Sequence, residues 1–217
     1  MRSTPVLLLA LLAARVEAGT VTGQLQLLEK GGARASDLSD AVVYLEGVKA
    51  AKPKPASATL MMKAKAFTPH VVVIPVGGTV EFPNDDPIFH NAFSVSPENK
   101  FDLELYKRPK TGSWTFKAPG VVNVYCNIHP QMSAVVVVRD NPFFAKAGKD
   151  GAFSLEGVPA GKYTLVAWHE RGGDKAVEVS VPAAGSVTTN VTLDGTKYKR
   201  VPHKNKFGKD YSTGERY

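Results

Sequence analysis

Beyond its first eighteen residues the chain is written in short apolar runs, alternating or continuous, separated by glycine, proline, asparagine and aspartate. The pattern predicts strands over Thr20–Leu27, Ala41–Leu45, Val71–Ile74, Thr79–Phe82, Ala92–Val95, Ser113–Phe116, Val121–Cys126, Ala134–Val138, Phe153–Leu155, Tyr163–Trp168, Ala176–Val181 and Val187–Leu193. No stretch keeps apolar residues at helical spacing, although residues 100–107 leave room for a short turn. Many short strands between turn signals are the signature of an all-β, sandwich-type protein.

Three segments break the pattern. Val6–Ala14 is an apolar run behind Arg2, and Val16 and Ala18 are small residues at the positions a signal peptidase reads. Residues 1–18 are therefore expected to be a signal peptide cleaved near Ala18, which makes the protein periplasmic or secreted. The run is too short to cross a bilayer; an uncleaved anchor or a buried strand is the plainer alternative. Ala50–Ala58 is rich in Lys, Pro and Ala and reads as a linker. Residues 194–217 carry seven basic residues among Tyr198, Phe207, Tyr211 and Tyr217 and show no strand alternation. That tail reads as extended or disordered unless it docks on the body. It carries much of the net charge of +7 and suits an acidic partner or anionic surface, with no nucleic acid expected.

The chemistry concentrates on one loop. The chain has one cysteine, Cys126, so an exported form makes no internal disulfide, and its thiol must be buried or occupied. Strand-like residues run into Cys126 and leave after Met132, with His129 between them as Cys-x-x-His-x-x-Met. Thiolate, imidazole and thioether on one loop could converge on one soft metal ion. A second imidazole would complete two His and a Cys with a weak axial Met, the blue-copper arrangement. His90, 36 residues before Cys126, is the candidate. Taken singly, these residues are an ordinary turn histidine, a core cysteine and core-filling methionine; their order and setting argue for the metal. Zinc would accept Cys and two His, but a thioether is a poor zinc ligand. His70 reads as structural, His169 as a surface or core histidine, and His203 as part of the basic tail.

The stretch Phe67-x-Pro69, Gly77-Gly78-Thr79-Val80-x-Phe82-x-Asn84, His90-Asn91, Gly120 and Tyr125-Cys126-x-x-His129-x-x-Met132 resembles the cupredoxins, and its short ligand loop resembles amicyanin in particular. The resemblance spans about residues 60–140. It implies a Greek-key sandwich over 59–142 holding one type 1 copper, with His90, Cys126 and His129 as strong ligands and Met132 as the axial one. It also implies that the backbone N–H of Asn91 points at the Cys126 sulfur, makes Asn127 a candidate support, and gives the surface edge of His129 as the electron port. Where many short-loop relatives have proline, this chain has Ile128, whose N–H is free to reach the sulfur. The flanks differ. Asp150-Gly151-x-Phe153-x-Leu155-x-Gly157-Val158-Pro159-x-Gly161-x-Tyr163-x-Leu165 is similar to the carboxypeptidase regulatory-like (transthyretin-like) sandwich. The opening strands of that family are matched by Gly19-x-Val21-x-Gly23 and Ala41-x-Val43-x-Leu45. The expectation is a cupredoxin inserted into a second, smaller β-sandwich made of 19–48 plus 145–193.

The functional reading is electron transfer by Cu(I)/Cu(II) cycling, without catalysis, since no nucleophile, general base or open metal position is visible. The amicyanin-like loop implies a redox partner such as a periplasmic dehydrogenase as donor and a c-type cytochrome as acceptor. The alternatives are a copper-binding or delivery protein without redox turnover, and a binding or adhesion module in which the metal is secondary.

Overall fold

The computed structural model describes residues 18–49 and 52–211. The expected signal peptide up to Glu17, residues 50 and 51 of the expected linker, and the last six residues of the tail lie outside them. In chain order the strands are β1 (Ala18–Leu28), β2 (Val42–Glu46), β3 (Ser57–Thr59), β4 (Met61–Lys63), β5 (Ala66–Thr68), β6 (Val71–Pro75), β7 (Thr79–Pro83), β8 (Phe93–Ser94) and β9 (Phe101–Asp102). They continue as β10 (Thr111–Thr115), β11 (Gly120–Tyr125), β12 (Ser133–Arg139), β13 (Phe144–Lys146), β14 (Ala152–Pro159), β15 (Gly161–His169), β16 (Gly173–Val181), β17 (Ser186–Thr188) and β18 (Val191–Asp194). Two single-turn 3-10 segments, Lys30–Gly32 and Pro97–Asn99, are the only helical pieces among the described residues. No described helix is long and apolar enough to cross a membrane.

Of the five sheets among the described residues, four stack with three apolar layers between them, and the fifth is the β4-β5 hairpin. β10-β7-β3 faces β6-β12-β11-β8-β9; next comes β13-β2-β15-β16, and last β1 with β14, β17 and β18. Side-chain alternation explains the stacking, because successive residues of a strand point to opposite faces. On β12, Ala134, Val136 and Val138 enter the layer shared with Val80, Phe82 and Phe116, while Val135 and Val137 enter the layer shared with Tyr44, Val166 and Trp168. β2 and β15 divide in the same way: Val43, Leu45, Leu165 and Ala167 pack with Val21, Leu25, Phe153 and Leu193. A sheet covered on both faces needs no polar side, and the unbroken Val135–Val138 run is its sequence mark.

Strand pairing brings the first and last of the described strands together. β1 pairs antiparallel with β14 and parallel with β17 and β18, and β2 pairs antiparallel with β13 and β15. The predicted strand over Val187–Leu193 is two strands, because Thr189 and Asn190 interrupt it beside Gly23. A Cβ on Gly23 would stand 1.9 Å from the Thr189 carbonyl oxygen. Instead, Thr189 N–H donates to Thr22 O and Asn190 Oδ1 accepts from Gln24 N–H.

Two departures lie near the site. The expected linker Ala50–Ala58 ends inside β3, which pairs parallel with β7. The β4–β5 hairpin turns at Ala64 and Lys65, both at positive φ (52° and 55°) although neither is glycine.

Candidate metal centre

His90, Cys126 and His129 form the one cluster of potential metal-binding side chains found among the described residues, with ligand atoms all within 4.8 Å of one another. Cys126 follows the last residue of β11, and Met132 precedes the first of β12, so the antiparallel pair delivers both ends of the loop to one place. The loop closes through Cys126 N–H to Met132 O (3.3 Å) and Met132 N–H to His129 O (3.0 Å). Cys126 and Met132 are fully buried in the same apolar layer.

His90 arrives on a separate loop, paired with Tyr106 by reciprocal backbone bonds of 2.9 and 2.8 Å. Asn84 pins that loop by donating to the carbonyls of Ile88 and Tyr106. The ring is oriented by Asp86, whose Oδ2 lies 2.7 Å from His90 Nε2. A carboxylate only accepts, so Nε2 is the donor of this bond and Nδ1 is the nitrogen turned toward His129. Asp86 is itself held by the N–H groups of Ala64 and Lys65, which accounts for the left-handed turn there. Burial raises the Asp86 pKa, but the bonds from Lys65, His90 and Ala64 outweigh it and hold it below the usual carboxylate range. This carboxylate was missed in the sequence, although an Asp four residues before a candidate ligand His was its signal.

His90 Nδ1 stands 2.9 Å from His129 Nδ1, which is 3.6 Å from Cys126 Sγ. Two nitrogens bound to one ion at about 2 Å each lie at most about 4 Å apart, and a thiolate sulfur adds only a few tenths. The donors therefore fit a single soft ion. Burial pushes the Cys126 thiol pKa up, opposed by the backbone N–H groups of Asn91, Ile128 and His129, which favour the thiolate. Asn91 and Ile128, the two positions expected to favour the thiolate, both act in that direction, and His129 is a third. Burial, then the neighbouring His90, bring His129 down to about 4.

The edge of His129 does not form the open port expected from the sequence. The residue is 6% exposed, and its buried Nε2 has no hydrogen-bond partner among the described residues. Asn127 N–H donates to Asn91 Oδ1 at 2.7 Å, tying the residue after Cys126 to the residue after His90. Of the other histidines, His70 bridges Ser133 O (3.1 Å) and Glu170 (2.7 Å), and His169 is buried with Nδ1 accepting from Arg171 N–H. His203 stacks on Tyr125, with ring centres 4.0 Å apart.

No protein-family model matches the sequence, and no curated protein matches it either. Solved structures do match. One is a copper-containing nitrite reductase from Thermus scotoductus SA-01, at 32% identity over 42% of this chain and 24% of that one, with a TM-score of 0.35. This chain therefore spans about a quarter of the reductase's length. A reduced amicyanin variant matches at 21% identity over 45% of this chain and 98% of its own, with a TM-score of 0.37. A purple cupredoxin from Nitrosopumilus maritimus matches at 23% identity over 53% of this chain and 98% of its own, with a TM-score of 0.32. The matched solved structures are cupredoxins, and the chain itself is an all-β protein that carries a His-Cys-His cluster.

Proposed function

We propose that the chain holds one type 1 copper through His90, Cys126 and His129, with Met132 as axial ligand, and carries single electrons between partner proteins outside the cytoplasm. The observation that carries this reading is the convergence of two imidazole nitrogens and one thiol sulfur in a buried, hydrogen-bonded setting. Copper supplies the reversible one-electron couple. The protein's part is to hold the donors still: Asp86 fixes the His90 ring, the β11–β12 pair fixes the loop, and three N–H groups offset charge on the sulfur. Complete burial of His90, Cys126 and Met132 leaves no room for a substrate beside the metal, which favours a carrier over a catalyst. A cavity of about 620 Å³ borders the ligand loop at Gln131 and Ser133 and is lined also by His70, His169, Glu170 and Arg200, but by none of the four proposed ligands. The signal-like leader supports a periplasmic or secreted location, where a c-type cytochrome or a dehydrogenase is a suitable partner.

The test is an optical and EPR spectrum of the copper-loaded full chain. An intense thiolate-to-copper band is expected, lost in Cys126→Ser and kept with altered potential in Met132→Leu. Copper uptake by the wild-type protein without that band would overturn the reading.

A further inference from the structure

We propose that the C-terminal tail is a brace of the metal centre, with Lys206 and Tyr211 as positioning residues for the ligand loop. This rests on the copper reading above. The tail leaves β18 without forming another strand, yet it is placed by specific bonds. A compact turn is built on Asn205, which accepts from the N–H groups of Phe207 and Lys209 through its side chain. From that turn the tail touches three consecutive residues where β11 runs into the loop. His203 stacks on Tyr125, and Tyr211 Oη–H donates to Cys126 O at 2.7 Å while lying 3.1 Å from His203 Nδ1. Lys206 N–H donates to Asn127 Oδ1 at 3.0 Å.

These contacts close a ring. Asn127 N–H donates to Asn91 Oδ1, Asn91 Nδ2 donates to Asp102 Oδ1 (3.0 Å), and Asp102 Oδ2 accepts from Lys206 Nζ (2.6 Å). Lys206 returns to Asn127 through its own backbone N–H. Asn91 follows His90 and Asn127 follows Cys126, so the ring grips both ligand-bearing segments from outside. Glu104 also accepts from Lys206 Nζ at 3.2 Å. The Lys206 charge is therefore satisfied within the chain, which a solvated tail awaiting a partner would not require. Bonds of this kind around a metal site hold its ligands in place, and losing one typically costs about 10–100-fold in affinity or activity.

The experiment compares full-length wild type, Tyr211→Phe, Lys206→Ala, Lys206→Arg and the exposed control Lys199→Ala. Three quantities are read: the rate of copper loss to a chelator, the position of the thiolate band, and amide exchange over residues 126–132 in metal-free protein. Tyr211→Phe and Lys206→Ala should release copper ~10-fold faster, shift the band, and exchange faster in the loop but not in β1 or β15. Lys206→Arg should keep most of the wild-type behaviour, and Lys199→Ala should behave as wild type. Unchanged loop exchange in both Tyr211→Phe and Lys206→Ala would overturn the brace. If wild type takes up no copper, the copper reading falls, and loop exchange in the metal-free chains alone decides whether the tail braces the loop.

Discussion

The layer between β1 and β2 and the layer that carries the ligand loop use the same small set of apolar residues, yet they differ in what lies at their edges. Around the first, from Val21 to Leu193, the buried polar groups nearby are few and locally satisfied. His169 accepts from Arg171 N–H, and Asn141 bonds the backbone of Leu45 and Phe143. Around the second, Asn84, Asp86, His90, Asn91 and His129 are all buried on the two segments that meet at the ligand cluster. A buried polar atom without a partner costs about 1–3 kcal/mol, so an arrangement that leaves His129 Nε2 without one among the described residues is not explained by stability. One layer holds the chain together; the other spends stability to keep donors converged.

Separating the two is the strongest way to break that comparison. Residues 55–142 are expected to fold and bind copper without the flanking strands. They should do so as a soluble monomer only when Val71, Val135 and Val137 are changed to Thr, because those side chains face the layer shared with Trp168 and Val166. Gel filtration and the visible spectrum check this. If the piece loses copper that residues 18–142 retain, the first strands belong with the copper unit. A milder separation is Leu165→Ala, which empties a fully buried position of the outer layer. It should cost about 2–5 kcal/mol in chemical denaturation and leave the copper band unmoved. A shifted band would show that the outer layer helps to set the metal geometry.

The smallest effect concerns the contact that joins the two regions. His70, just before β6, meets Glu170 at the end of β15 at 2.7 Å. The Glu170 hydrogen bond holds His70 above its ordinary 6.5, and the His70 hydrogen bond holds Glu170 below its ordinary 4.5. The His70 contribution is full below pH 6.5 and lost as pH rises through its folded value. The Glu170 contribution is full above pH 4.5 and lost as pH falls through its folded value. The pair therefore stabilises most between pH 4.5 and 6.5, by about 0.5 kcal/mol for so exposed a contact. Burial, then Arg171, lower the pKa of His169, which works the other way as pH falls. The difference between wild type and His70→Gln isolates the pair: it should be largest near pH 5.5 and shrink by pH 8. An equal difference at both pH values would remove the ion pair from the account.

How far the sequence revealed this depends on how local each signal is. The proposed ligands on one loop lie within seven residues, and strand alternation pointed to their frame, so the meeting of Cys126 and His129 in one cluster could be anticipated from the sequence. β3 escaped because Ser57-Ala58-Thr59 is held by backbone pairing with β7 and offers no apolar pattern. The β4–β5 hairpin escaped because its turn, Ala64-Lys65, lacks turn residues and is set by Asp86 from 21 and 22 positions away. The tail escaped for the same reason: its contacts with Asn127 and Cys126 are polar and span 79 and 85 residues, and such contacts leave no periodicity in the sequence.

The 36-residue spacing of His90 and Cys126 has a consequence for the unfolded chain. An ion gripped by both closes a loop of that length. In the chain-entropy treatment of cross-links, such a closure removes about 4 kcal/mol of conformational freedom from the unfolded state. With one cysteine, the protein has no covalent means of obtaining this effect. On the copper reading, resistance to unfolding would follow the supply of metal, and the chain would reach full robustness only after it is loaded.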